Sequence, residues 1–149
     1  MYKEWGPIVW IFLHTISTKI RDGKFHLVKK NVFEIISQTC YNLPCPRCRQ
    51  HATNFLSQNK ISRCNTKESL ISYIFNFHNI VNKRLGKKMY EFKDLEKYKR
   101  CRFNELIKRF ESVLKKQYYF TKSMDGWKRI KNTDNILKIL IKNQNYFNK

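Results

Sequence analysis

Glycine and proline are nearly absent, with 4 and 3 in 149 residues. So few breakers exclude a Gly-rich phosphate loop and any low-complexity linker, and no internal repeat is present. Acidic residues are scarce as well: 11 against 31 Lys and Arg, a formal net charge of +20. A long apolar run is missing too. Near the N-terminus Ile8–Leu13 is closed by His14, far too short a stretch to span a bilayer. Glu4 stands where a secretion signal carries positive charge, so the chain reads as soluble and not exported by such a signal. The five cysteines are an odd number, whereas a small secreted disulfide scaffold carries an even set. In an intracellular protein a Cys-x-x-Cys pair points instead to catalysis or metal binding.

Aromatic bodies are plentiful: 11 Phe, 8 Tyr and 3 Trp. They supply a core for one domain that needs no disulfide staples. Residues 99–149 hold 14 Lys and Arg against 4 Asp and Glu. Such an excess can serve an acidic partner, nucleic acid or a membrane surface. Here the basic residues are spread evenly and do not cluster with stacking aromatics, so a solvated Lys- and Asn-rich surface is the better reading. Nucleic acid is not expected as a partner.

The apolar periodicity is helical throughout. Gly6-Pro7 opens a first pattern, with proline in its first turn, and Ile8, Phe12 and Ile16 on one face. It runs out at Arg21-Asp22-Gly23, a turn signal. A second helix reads from about Phe25 to Tyr41, and Pro44 stops it. A third starts at Cys45-Pro46 and continues through His51 and Phe55 to about Ser57. Asn65-x-x-Glu68 resembles a capping box opening a fourth, whose apolar face is Leu70, Ile71, Ile74, Phe77, Val81 and Leu85. Gly86 closes it, while Phe75, His78, Asn79 and Asn82 share a neighbouring stripe. Beyond Gly86 one helix is expected within 92–118 and another within 133–146. No alternating strand pattern occurs, so the class is all-α.

Cys45-x-x-Cys48 at a helix start carries the chemistry. The unpaired N–H groups and positive end of a helix favour a thiolate, and Arg47 and Arg49 add charge. This spacing puts one sulfur at the open end and the other under the helix, as dithiol–disulfide exchange requires. The alternative is half a zinc site, completed by His51 with Cys64 or Cys40, although no second Cys-x-x-Cys or His-x3–5-His pair is present. A thioredoxin-like fold would need flanking strands. Electrons from a dithiol also need an acceptor. From His78 to Lys88 a histidine, Asn79, Asn82 and several lysines follow one helix. Singly they read as a core histidine and a solvated face. Together they offer a stacking surface, amide hydrogen bonds and cations for an adenine-containing diphosphate.

Three motifs carry a resemblance: Trp5-Gly6-Pro7-x-x-Trp10-x-x-x-His14, Leu43-Pro44-Cys45-Pro46-Arg47-Cys48-Arg49-x-His51, and Phe77-His78-Asn79-x-Val81-Asn82-x-x-Leu85-x-Lys87. In order and spacing they resemble the ALR/Erv-type FAD-linked sulfhydryl oxidases, in particular the compact versions encoded by large cytoplasmic DNA viruses. The resemblance implies a four-helix bundle holding FAD, with the active disulfide at the start of the third helix. It makes Cys45 the sulfur attacked by substrate and Cys48 the flavin-side sulfur, with molecular oxygen reduced to peroxide. Gly6, Pro7, Trp10 and His14 match the N-terminal part of the family's flavin pocket. His78, Asn79, Val81, Asn82, Lys83, Leu85, Lys87 and Lys88 match the part that grips adenine and phosphates.

Phe75 is counted with that set. With Phe92 it also stands where cellular members carry a structural disulfide, and aromatic packing is expected in its place. No shuttle pair exists, so electrons must arrive from a partner dithiol, thioredoxin-like or other, directly or through Cys40, Cys64 or Cys101. Asp125-Gly126-Trp127 echoes a family Asp-Gly-Trp but lies too far from Lys88 to be assigned. No metal belongs to this reading. It divides the chain into an FAD-binding core, 1–90, and a basic helical extension, 91–149, packed on the core or used for docking. The resemblance further implies a homodimer through first- and second-helix faces, and a cytoplasmic place: the host cytoplasm, a virus factory or the virion.

Overall fold

The structure, a computed structural model, describes residues 2–118 and 123–149. Those residues form seven helices and no strand, with one isolated bridge between Ile20 and Phe147. The fold is all-α, as the periodicity predicts.

Helix α1, Tyr2–Thr18, is buried on nearly every side, with Phe12 and Ile16 fully enclosed. It begins well before Gly6-Pro7, so Pro7 lies inside the helix and not in its first turn. A proline there forfeits one intrahelical bond, while Trp5, 2 % exposed and edge-on to Tyr2, anchors the added turn. Gly23, at φ 73°, makes the turn into α2, Phe25–Tyr41. Helix α3, Pro46–Gln58, has proline in its first turn, and α4 is Lys67–Arg84. The capping box of α4 is Thr66 with Ser69, one residue later than Asn65-x-x-Glu68: each backbone N–H meets the other side-chain oxygen at 3.0 Å. That register turns Leu70, Ile74 and Phe77 inward and leaves Ile71 half-buried. Gly86, at φ 66°, ends the helix. Helices α1 to α4 make the bundle, with Phe55 of α3 stacked on Phe77 of α4 at 4.3 Å.

Beyond Gly86 the helix expected within 92–118 is present, and the last one starts earlier than expected. Residues 92–118 form a 3-10 turn, Phe92–Leu95, the short α5, Glu96–Lys99, and α6, Phe103–Lys115. The last helix, α7, is Ser123–Lys142, beginning well before residue 133. Its first half hides from hydropathy because the residue it buries is an arginine. Arg129 is 1 % exposed, and its Nε and Nη2 donate to the carbonyls of Leu114 and Lys116, both at 2.7 Å. Helix α6 lies along α1, where Phe110 stacks on Phe12 at 3.7 Å, and α7 packs on α6 and α2. One hydrophobic core runs from Trp5 to Phe147.

Candidate functional site

Cys45 is the N-cap of α3. Its backbone is extended (φ −93°, ψ 117°) and its Sγ accepts from the Cys48 N–H at 3.2 Å, replacing the oxygen of an ordinary cap. Arg49 fixes this turn from both sides, donating to the Leu43 carbonyl at 3.2 Å and pairing with Asp125 of α7 at 3.7 Å. Cys45 and Cys48 are both half-buried free thiols. Of the two, Cys48 lines a cavity and Cys45 does not. A helix start was expected to favour a thiolate, but at Cys48 burial and the neighbouring Cys45 push the thiol up to about 12. Arg84 opposes that shift without overcoming it.

Two cavities adjoin at Tyr2, Trp10 and Lys87, which line both. The inner one, about 370 Å³, is walled by Trp5, Val9, Leu13, Cys40, Phe77, Val81 and Leu85, with Cys48 at its edge. The outer one, about 640 Å³, combines Pro7, Trp10, His78, Asn82, Tyr90 and Tyr98 with the cations Lys87, Lys88, Lys97 and Arg100. Behind it His14 Nε2 and His78 Nδ1 share a hydrogen bond of 2.8 Å. His78 stacks on Trp10 at 4.0 Å, and His14 on Tyr98 at 4.5 Å. Burial, followed by the charge of His78, holds His14 down at about 3. Burial, followed by the charge of Lys97, holds His78 down at about 4. Both rings are therefore neutral at pH 7.

Of the residues singled out from sequence, Pro7, Trp10, His78, Asn82, Lys87 and Lys88 line the outer cavity, and Trp10, Val81, Leu85, Lys87 and Cys48 the inner one. The others stand behind or away. Gly6 lies beneath the Tyr2 ring, His14 backs His78, and Lys83 is exposed. Asn79 pins Tyr90, its amide donating to the Tyr90 carbonyl at 3.0 Å and its oxygen accepting from the Tyr90 N–H at 2.8 Å. Phe75 meets Phe92 at 5.0 Å, outside both cavities. Sequence reasoning missed Tyr2, Arg84, Tyr90, Lys97, Tyr98 and Arg100. The Lys97-Tyr98-Lys99-Arg100 run, basic residues interleaved with an aromatic, was the available signal. As for the zinc alternative, no three His, Cys, Asp or Glu among the described residues form a metal-holding group.

The Erv1 / Alr family model matches residues 7–104. The chain belongs to that family. An African swine fever virus protein (isolate Warthog/Namibia/Wart80/1980) named FAD-linked sulfhydryl oxidase is 33% identical over 108 residues, 72% of this chain and 87% of that protein. A second from the same virus (isolate Tick/Malawi/Lil 20-1/1983), with the same name, is 36% identical over 86 residues, 58% of this chain and 71% of that one. The Arabidopsis thaliana FAD-linked sulfhydryl oxidase ERV1 is 28% identical over 85 residues, 57% of this chain and 44% of its own length. The Erv1/Alr match extends past Lys88 to include Tyr90, Lys97, Tyr98 and Arg100.

The site suits a flavin dinucleotide. Four cations and stacked aromatics border the outer cavity, as an adenine diphosphate needs, and the inner one is apolar enough for a tricyclic ring beside a sulfur. Trp5, which lines the inner cavity, keeps its Nε1 buried without an acceptor. A flavin edge is rich in acceptors, and a buried unpaired donor is otherwise rare.

Proposed function

We propose that this Erv1/Alr protein is an FAD-linked thiol oxidase that makes disulfides in partner proteins. The observation that carries this is Cys48 on the wall of an apolar cavity that shares Tyr2, Trp10 and Lys87 with a basic, aromatic one, while Cys45 lines neither. Pro7, Trp10, His78, Asn82, Lys87 and Lys88 would hold the adenine and diphosphate, with Tyr90, Lys97, Tyr98 and Arg100. Val81, Leu85 and Trp5 would hold the ring. A thiolate of the substrate attacks Cys45 Sγ in the oxidised pair. The Cys45–Cys48 bond breaks, and Cys48 leaves with the electron pair as a thiolate. The second substrate thiol then displaces Cys45, releasing a disulfide and leaving both enzyme sulfurs reduced. FAD held by those residues would supply the two-electron acceptor that returns the pair to its disulfide, and oxygen the final acceptor, with peroxide as the product. The protein's own part is to aim Cys48, present Cys45 and keep the inner cavity apolar.

The substrate of this reading is a dithiol protein, thioredoxin-like or other. No helix among the described residues is long and apolar enough to cross a membrane. The viral relatives support a place in the host cytoplasm, a virus factory or the virion, where reducing surroundings make a dedicated oxidase necessary. The segment beyond residue 90 is read as an extension of the core, since α6 and α7 pack on α1 and α2. A homodimer remains part of the proposal, built on what those two helices leave free of the first two.

The test is an absorbance spectrum of the purified protein, repeated after dithiothreitol is added in air. A flavin band that bleaches and recovers as oxygen is consumed is expected, with bleaching lost in Cys48→Ser. A protein that stays colourless after incubation with excess FAD refutes the reading.

A further inference from the structure

Helix α7 grips the link between α2 and α3, the segment from Asn42 to Cys45, at two points. At its start, Asn132 of α7 donates from its side-chain amide to the Asn42 side-chain oxygen. At its end, Asp125 pairs with Arg49 at 3.7 Å, and the same guanidinium donates to the Leu43 carbonyl at 3.2 Å. The Arg49 backbone N–H meets the Cys45 carbonyl at 2.9 Å, so α3 closes on Cys45 through the residue that Asp125 holds. Asp125 and Asn132 are seven residues apart, two turns of one helix, and share a face. Arg129 lies between them on that face, 1 % exposed, and ties α7 to the end of α6 through the Leu114 and Lys116 carbonyls. The grips therefore come from a helix that is itself anchored. Both lie beyond residues 7–104, the part that matches the Erv1/Alr family model.

We propose that Asp125 and Asn132 are positioning residues for the redox pair: from α7 they clamp the α2–α3 link and so hold Cys45 against the turn that carries Cys48. This rests on reading Cys45 and Cys48 as a redox disulfide, and not on the flavin. Neither residue touches a sulfur; Asp125 acts through Arg49, and Asn132 through Asn42. An intramolecular disulfide forms in proportion to the effective concentration of one thiol near the other, which falls as the backbone carrying them gains freedom. Between the two cysteines, Pro46 restricts that freedom with its fixed φ. Before them the restraint is α7, because Cys45 is extended and outside the helix, at φ −93° and ψ 117°. Loss of the grips lowers the effective concentration and shifts the pair toward its dithiol. The helices beyond residue 90 thus belong to the redox centre as well as to the packing of the core.

The experiment equilibrates the full chain with glutathione buffers under nitrogen, each Cys45–Cys48 bond formed reducing one glutathione disulfide to two thiols. Rapid alkylation and mass spectrometry then read the disulfide fraction of the pair, a measure that needs no turnover. The Asp125→Ala, Asn132→Ala double variant is expected to lower the equilibrium constant for the disulfide about tenfold, and each single variant about threefold, the scale of one half-exposed ion pair and one hydrogen bond. Asp125→Glu, which keeps the carboxylate, is expected to restore the wild-type constant. Asp134→Ala is the structural control: it removes an ion pair of α7 that reaches Lys115 of α6 at 2.6 Å instead of the link, and should leave the constant unchanged. The single variants carry the same test if the double one does not fold. An unchanged constant, or a shift toward the disulfide, overturns the clamp. So does an equal shift in Asp134→Ala, which would make the effect one of general stability. If the protein binds no FAD while the variants shift as expected, the oxidase reading falls and the clamp stands.

Discussion

Lowering the pH from 7 to 5 is expected to remove about 4 kcal/mol of stability through His14 and His78. Both are neutral, nearly inaccessible and tied to each other by one hydrogen bond. In the folded chain they titrate at about 3 and about 4, because burial and nearby positive charge disfavour their protonated forms. Unfolded, each titrates near 6.5. Between those limits the unfolded chain binds more protons, so stability falls as the pH falls. At pH 5 the gap below 6.5 is about 1.5 units, or roughly 2 kcal/mol per ring at 1.36 kcal/mol per unit. That is a large share of the 5–15 kcal/mol typical of a domain. Ordinary carboxylates titrate below this window, which isolates the histidines. Guanidinium unfolding at intervals from pH 7 to 5 measures it, with proton uptake on unfolding approaching two per molecule at the acid end. A His14→Asn, His78→Asn double variant should lose most of the slope. Stability that stays flat over the window in the wild type would refute the assignment of two buried neutral histidines.

Two further outcomes are expected. Phe92→Ala removes the aromatic contact with Phe75; since Phe92 is 56 % exposed, the loss should be only about 1 kcal/mol, read as a melting temperature lower by a few degrees. Unchanged melting would mean that the Phe75–Phe92 pair ties nothing together. Arg129→Met removes the two hydrogen bonds that Arg129 gives the Leu114 and Lys116 carbonyls, and urea unfolding should show a loss of roughly 2 kcal/mol despite the relief of a buried charge. A more stable variant would show that burying the charge costs more than the two hydrogen bonds return.

The sequence made the bundle legible because its signals were local. Apolar residues at helical spacing marked α2 within its observed bounds, and Pro44, Gly23 and Gly86 marked the breaks. The Cys-x-x-Cys pair and the His78-to-Lys88 stripe also announced themselves by spacing. What stayed hidden depends on distance in space. Tyr90 joins the site because Asn79, eleven residues earlier, grips its backbone. Tyr98 joins by stacking on His14. Tyr90 does not differ in sequence from any exposed tyrosine, and only its basic neighbours set Tyr98 apart. Arg129 misled in the other direction: a charge read as a solvated face is held inside by two carbonyls from the end of α6. At Cys48 burial works against the thiolate that a helix start favours, since helix-end electrostatics can be read from position but burial cannot.

The sulfur cap on α3 ties local helix stability to oxidation state. Cys45 Sγ, which accepts from the Cys48 N–H, is also the atom that the proposed reaction has a substrate thiolate attack. Free, it accepts from the Cys48 N–H; bonded to Cys48 Sγ in a disulfide it would be a poorer acceptor and would loosen that turn. Amide exchange at Cys48 should therefore slow on reduction and quicken on oxidation, so that a single backbone proton reports how far each turnover has advanced.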